Sequence, residues 1–261
     1  MTEAHTDGRD VTRRTLLQRG AGAAAAGAAL AFAGPPAAAH AGPGPAAEPL
    51  PATVAGVRVP DSAVARHTVA FAREVSSPSL FNHVLRSYVF GALVLDRQGA
   101  RYDRELGFVA AVLHDLGLVE AFQTPAERFE VDGADAARRF LRRLGVPAGR
   151  LDVVWDAIAL HTSAGIAARK RPEIALVSVG SALDFTGNGL ERIPSDALTE
   201  VLDAFPRLEF KKAALETILS LCRTKPMGEL MHPFAEVGRR HLPGFAVPTV
   251  EDLLVSAPFA Q

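Results

Sequence analysis

From residue 61 onward, apolar side chains recur at intervals of three and four, the period of helices that bury one face. Pro60-Asp61 marks the entry to a helix reaching about residue 75, and Ser77-Pro78 opens another that runs to about residue 97, before Gly99. Asp103 is the next cap, followed by Leu106, Val109, Ala110 and Leu113 at helical spacing, and His114-Asp115 closes that helix. Asp132 is read as the cap of a helix over 133–144, stopped by Gly145 and Pro147. Leu151, Val154, Trp155, Ile158, His161 and Thr162 then form one stripe on a further helix. Pro172 opens a helix through Asp184, and two more are predicted over 195–204 and 209–223. No sustained strand alternation or Asn-Gly hairpin signal occurs. The pattern therefore predicts an all-α single domain over 61–225, with the Pro- and Gly-punctuated residues 226–261 as an extension packed on it.

What precedes residue 61 has a different character. Residues 42–60 carry Gly42, Pro43, Gly44, Pro45, Pro49, Pro51 and Pro60 among small residues, a composition that reads as a linker or extended arm. Residues 1–41 place Arg13-Arg14 ahead of Leu16-Leu17, then an Ala/Gly-rich run, then Ala39-His40-Ala41. That order resembles a bacterial twin-arginine signal peptide. The apolar run is shorter than the roughly 20 residues a bilayer requires, which sets it apart from a membrane anchor. The resemblance implies engagement of the twin-arginine export machinery, cleavage near Ala41 and a periplasmic or extracellular destination. That route carries folded cargo, often with a metal already inserted.

Composition narrows the chemistry. A hydrophobic content of 48% is ample for a buried core, and a formal net charge of -1 offers no basic face for nucleic acid. Cys222 is the single cysteine, so no intramolecular disulfide can form, and its apolar neighbours mark it as a small core residue. Trp155 and the phenylalanines are read as core.

The candidate chemistry sits in Phe108-Val109-Ala110-Ala111-Val112-Leu113-His114-Asp115, where an imidazole and a carboxylate adjoin inside an apolar helix. Burying both is costly unless something compensates them, and a divalent metal uses both at once. His83 shares a helical face with Leu80, Phe90 and Val94, and Asp184 lies on an otherwise apolar helix. Two neutral imidazoles and two carboxylates neutralise one divalent ion and suit zinc, with iron or manganese as alternatives, leaving a position for water whose pKa falls towards about 7. Each residue also has a plainer explanation. A lone histidine on an apolar face is often a hydrogen-bonded core residue, and Arg86 or Arg101 can serve as the partner of Asp184.

Taken together, His83, then His114-Asp115, then Asp184 on successive helices resemble the HD superfamily of metal-dependent hydrolases. The resemblance implies that these four are the metal ligands on an all-α fold. Ser79-Leu80-Phe81-Asn82-His83, Leu113-His114-Asp115-Leu116-Gly117-Leu118 and Arg128-Phe129-Glu130-Val131-Asp132-Gly133-Ala134 are similar to the cyanamide hydratase branch, with Val84 where that branch usually carries serine. The branch implies a single metal ion and addition of water to a nitrile-like carbon. His161 is the only histidine between Asp115 and Asp184, which also favours one metal over two.

Around this set, His161 is expected as the catalytic group that handles a proton or faces substrate, with ligation as a further option, and Glu130 as a second catalytic candidate. A first-turn acid favoured by the helix dipole explains Glu130 equally well. Arg86 either holds an anionic substrate or pairs with Asp184, and Asn82 caps or braces the site. His67, His232 and His241 are read as surface or terminal residues. Three functions remain open: a metal-dependent hydratase or hydrolase acting on a small, largely uncharged substrate; a phosphohydrolase using an arginine clamp; and a non-catalytic metal-holding domain.

Overall fold

The computed structural model describes residues 49–259, so the twin-arginine-like segment and the linker as far as residue 48 lie outside the described residues. The described part of the expected linker is not a free arm. β1 (Thr53–Val54) and β2 (Val57–Arg58) pair antiparallel, with Val54 opposite Val57. The two residues between them, Ala55 and Gly56, both have positive φ (49° and 75°), the geometry of a tight hairpin turn. Val54, Val57 and Val59 are buried in the core, and the Tyr88 hydroxyl donates to the Arg58 carbonyl at 2.9 Å. Strands of two residues are too short to display alternation, and Ala-Gly is a weak turn signal, so the sequence pattern could not reveal this hairpin.

Eleven α-helices follow among the described residues: α1 (Ala63–Val75), α2 (Pro78–Arg97), α3 (Arg104–Leu113), α4 (Phe129–Arg143), α5 (Ala148–Ala159), α6 (Ala164–Ala167), α7 (Pro172–Thr186), α8 (Ser195–Ala204), α9 (Phe210–Thr224), α10 (Phe234–His241) and α11 (Val250–Val255). The all-α expectation holds. Several boundaries have visible causes. Ser62, Ser77 and Asp103 accept hydrogen bonds from the backbone N–H groups of Ala65, Leu80 and Leu106 and so start α1, α2 and α3.

One predicted start is wrong. α4 begins at Phe129, which puts Asp132 inside its first turn rather than at its cap. The Asp132 carboxylate instead receives the Thr124 hydroxyl and the buried ammonium of Lys225. An acidic residue suits both a cap and a first turn, so composition alone does not separate them. The residues after 226 also hold more order than their Pro and Gly content suggests, since α10 and α11 both lie there.

α2 and α7 run antiparallel in close contact, with residue 83 near 184 and residue 87 near 180. Glycine makes this approach possible, because a Cβ on Gly180 would lie 1.9 Å from the Ser87 carbonyl oxygen. Gly117 does the same for the turn after α3, where a Cβ would lie 1.8 Å from the Phe129 carbonyl oxygen. These two crossings bring His83 against Asp184 and set the His114-Asp115 corner against the start of α4. No helix among the described residues is long and apolar enough to cross a membrane.

Candidate metal centre

α3 ends at Leu113, and the chain turns into a short 3-10 segment at Leu116. His114 and Asp115 therefore occupy the corner between the two elements rather than the interior of a helix. His83 comes from the second turn of α2. One ligand atom from each of His83, His114 and Asp115 lies within 4.8 Å of the others, and all three residues are buried. Asp115 Oδ2 is 3.3 Å from His83 Nε2 and 3.3 Å from His114 Nε2.

The other imidazole nitrogens establish which atoms are open. His114 Nδ1 lies 2.7 Å from the Ala111 carbonyl and His161 Nδ1 lies 2.7 Å from the Ile158 carbonyl. A carbonyl only accepts, so each Nδ1 carries the proton and each Nε2 has a bare lone pair in the neutral ring. His83 Nδ1 lies 2.6 Å from Asp184 Oδ2 and donates to that carboxylate. Three imidazoles are thus oriented from behind, as is common for metal-bound histidines. His114 Nε2 is buried with no hydrogen-bond partner among the described residues. A buried lone pair facing a carboxylate invites a cation between them, so this donor set fits a divalent metal.

His161, just past the end of α5, has Nε2 3.6 Å from Asp115 Oδ1. Burial and the neighbouring His114 push its pKa down to about 4. Burial alone would raise Asp115, yet His114 and His83 hold it well below the usual carboxylate range. Burial also opposes a charge on His83, but hydrogen bonds and charge from Asp115 and Asp184 prevail and raise its pKa.

Asp184, the fourth expected ligand, lies outside the cluster of His83, His114 and Asp115. Its carboxylate accepts from Arg86 Nε at 2.8 Å, Arg86 Nη2 at 2.9 Å, Arg207 Nη1 at 2.8 Å and His83 Nδ1 at 2.6 Å. Four donors saturate the two oxygens, and Asp184 stands behind His83 rather than beside it. Burial opposes its ionisation, but His83 and Arg86 keep its pKa low. Arg86, fully buried, is the partner of Asp184 and also donates to the carbonyls of Phe205 and Pro206. Asn82 donates to the Pro206 carbonyl at 2.8 Å, which makes it a brace.

Glu130 is also placed away from the ligands. It is fully buried in the first turn of α4, and Oε1 accepts from Arg128 at 2.5 Å, Thr162 at 2.5 Å and His232 at 3.1 Å. Burial would raise its pKa, but His232 and Arg128 hold it low. His232 is not a surface residue, as the sequence suggested, but is only 4% exposed, with Glu130 on one ring nitrogen and Glu229 on the other at 3.0 Å. It lies in an irregular stretch between helices, where no periodicity could mark it as buried; Glu229 three residues earlier is the sole hint.

A cavity of about 500 Å³ opens beside the centre and is lined by His83, His114, Asp115 and His161. Leu80, Leu118, Phe129, Phe185, Ile218 and Phe234 give it a largely apolar wall. Phe210 stacks on His83, with ring centroids 4.6 Å apart, and carries the Arg207 guanidinium near its ring at 4.9 Å. Among the described residues, no lysine or arginine lines the cavity.

No curated protein matches the chain. The family model for the HD domain matches residues 80–208, a span that contains His83, His114, Asp115, His161 and Asp184. Residues 80–208, just under half of the chain, are therefore similar to the HD domain, the unit of a superfamily of metal-dependent hydrolases.

Proposed function

We propose that the protein is a metal-dependent hydratase or hydrolase acting on a small uncharged substrate, of the kind performed by the cyanamide hydratase branch it resembles. His83, His114 and Asp115 hold one divalent cation, with zinc the first candidate and iron or manganese the alternatives. Such a cation, when bound, polarises the electrophilic carbon and supplies water activated for attack near neutral pH.

The chain's own residues do the rest. Asp184 fixes the His83 ring with Nε2 forward, and Arg86 and Arg207 keep that carboxylate ionised. His161 keeps Nδ1 on the Ile158 carbonyl, so its Nε2 lone pair is the group available to take a proton from the attacking water and return it to the substrate nitrogen. Water thus adds across a carbon–nitrogen triple bond, hydroxyl to carbon and proton to nitrogen, and transfer of the remaining hydroxyl proton to that nitrogen gives the amide. The apolar wall excludes bulk water from the polarised carbon.

The observation that carries this reading is that no lysine or arginine among the described residues lines the cavity. A phosphoester needs cationic donors on its equatorial oxygens, and Arg86 is already committed to Asp184 with no exposed surface. The test is a panel on the metal-loaded protein, pairing cyanamide and simple nitriles with nucleotides and p-nitrophenyl phosphate. Amide formation is the expected result, and release of inorganic phosphate with unreacted nitriles would overturn the proposal.

A further inference from the structure

The hydroxyl groups around the cavity share a feature that bears on what it accepts. Ser79 donates to the Arg207 carbonyl, Ser181 to that of Ser178, Thr186 to that of Ala182 and Thr217 to that of Ala213. Thr162 donates to Glu130 Oε1 at 2.5 Å. Each of these residues lines the cavity, and each has turned its one hydroxyl proton away from it. The imidazoles repeat the pattern. His83, His114 and His161 direct their Nδ1 protons backwards, and both nitrogens of His232 face carboxylates. Ser77 is the exception, its oxygen capping α2 through the Leu80 N–H. The side chains therefore present lone pairs to a bound molecule and almost no protons.

Thr162 is the most firmly fixed of these acceptors. The other four hydroxyls donate to neutral carbonyls and can rotate at the cost of one ordinary hydrogen bond. Thr162 donates to a buried carboxylate that also receives Arg128 and His232 and has no proton to offer back. A charge-assisted bond of this kind also makes the threonine oxygen a stronger acceptor. Arg128 Nη2 approaches that oxygen only at 3.4 Å, so lone-pair capacity remains for a ligand.

We infer that the cavity selects small neutral molecules bearing N–H donors, and that Thr162 is the specificity-determining acceptor that receives them. The inference rests on the cavity being the substrate site, as proposed above. It narrows the substrate to neutral amino-bearing electrophiles and their amide products, and it sets anions and fully N-alkylated analogues at a disadvantage.

Acetamide and acetone have nearly the same size and the same carbonyl, and only acetamide has N–H groups. Their binding to the zinc-loaded full chain can be followed by NMR titration, without any turnover. One neutral hydrogen bond predicts acetamide binding about five- to tenfold more tightly than acetone. Thr162→Val keeps the volume, leaves Glu130 with Arg128 and His232, and should bring the two ligands within about twofold of each other. Thr162→Ser should retain the preference. Equal binding of the two ligands by the unaltered protein, no binding of either, or a preference that survives Thr162→Val would overturn the inference. If nitriles are not hydrated but the acetamide preference holds and depends on Thr162, the hydratase proposal fails and this one stands.

Discussion

Two sides of one cavity use buried histidine in opposite ways. On the wall built by residues 80–208, His83, His114 and His161 each give one nitrogen to an acceptor behind the ring and turn the other toward the single carboxylate of Asp115. On the wall built after it, His232 has Glu130 on one nitrogen and Glu229 on the other. The first arrangement makes a ligand set, since three imidazole nitrogens converge on one carboxylate with a place for a cation among them. The second makes a clasp, which ties the segment following α9 to the first turn of α4. Lys225 repeats the clasp a few residues earlier with Asp132 in the same turn. Burial is common to all four histidines, so it is the partner of the second nitrogen that assigns the role.

The largest test of this contrast is to remove an open histidine. His114→Ala takes away a buried nitrogen that has no hydrogen-bond partner among the described residues. Metal analysis should then show bound metal falling from about one ion per chain to almost none, with turnover lost alongside. A variant that retains both would remove the metal centre from the account. The same measurement on His232→Gln should show unchanged metal content, because the clasp does not reach the ion.

Asp184→Asn asks how sharply ligand and support differ. If Asp184 acts only through His83, metal affinity should fall by about 10–100-fold, the range for groups that orient a ligand, rather than vanish as with His114→Ala. The same change leaves the fully buried Arg86 without its counter-charge, and breaking such a pair costs about 3–5 kcal/mol, readable by denaturant unfolding. Loss of metal as complete as in His114→Ala, measured on folded protein, would return Asp184 to the ligand set.

Legibility in the sequence follows the same divide. The helices and the His83, His114-Asp115 cluster were readable because apolar periodicity states which face is buried and those residues fall in phase with it. Asp184 was also in phase, and the sequence already offered Arg86 as its partner. What periodicity could not say is which oxygen or nitrogen a buried group has left over, because that depends on the α2–α7 contact at Gly180 and on Arg207 from a loop. His232 was misread because it lies outside any regular element. The hairpin at 53–58 and the true start of α4 were missed for a related reason: short strands and first-turn acids leave almost no pattern.

The smallest effect is also the most specific to the clasp. His232 faces Glu130 and Glu229, with the guanidinium of Arg128 nearby opposing its charge. Burial works against the imidazolium, yet the two carboxylates prevail and raise its pKa above the ordinary 6.5. A raised histidine contributes stability that is complete below the unfolded value and is lost as pH rises through the folded one. Glu130 works in the other direction. Its pKa is held below the ordinary 4.5, so its contribution is complete above that value and is lost as pH falls through the lowered one. The two windows overlap between the ordinary values of 4.5 and 6.5, where the clasp is fully charged. His232→Gln keeps a polar side chain of similar reach but no charge, and should cost about 1–3 kcal/mol in that window. Denaturant unfolding of both proteins across the pH range should show the deficit shrinking as the solution becomes alkaline. A deficit that stays flat from acid to alkaline pH would mean that His232 holds the wall by its shape, and the charged clasp would have to be abandoned.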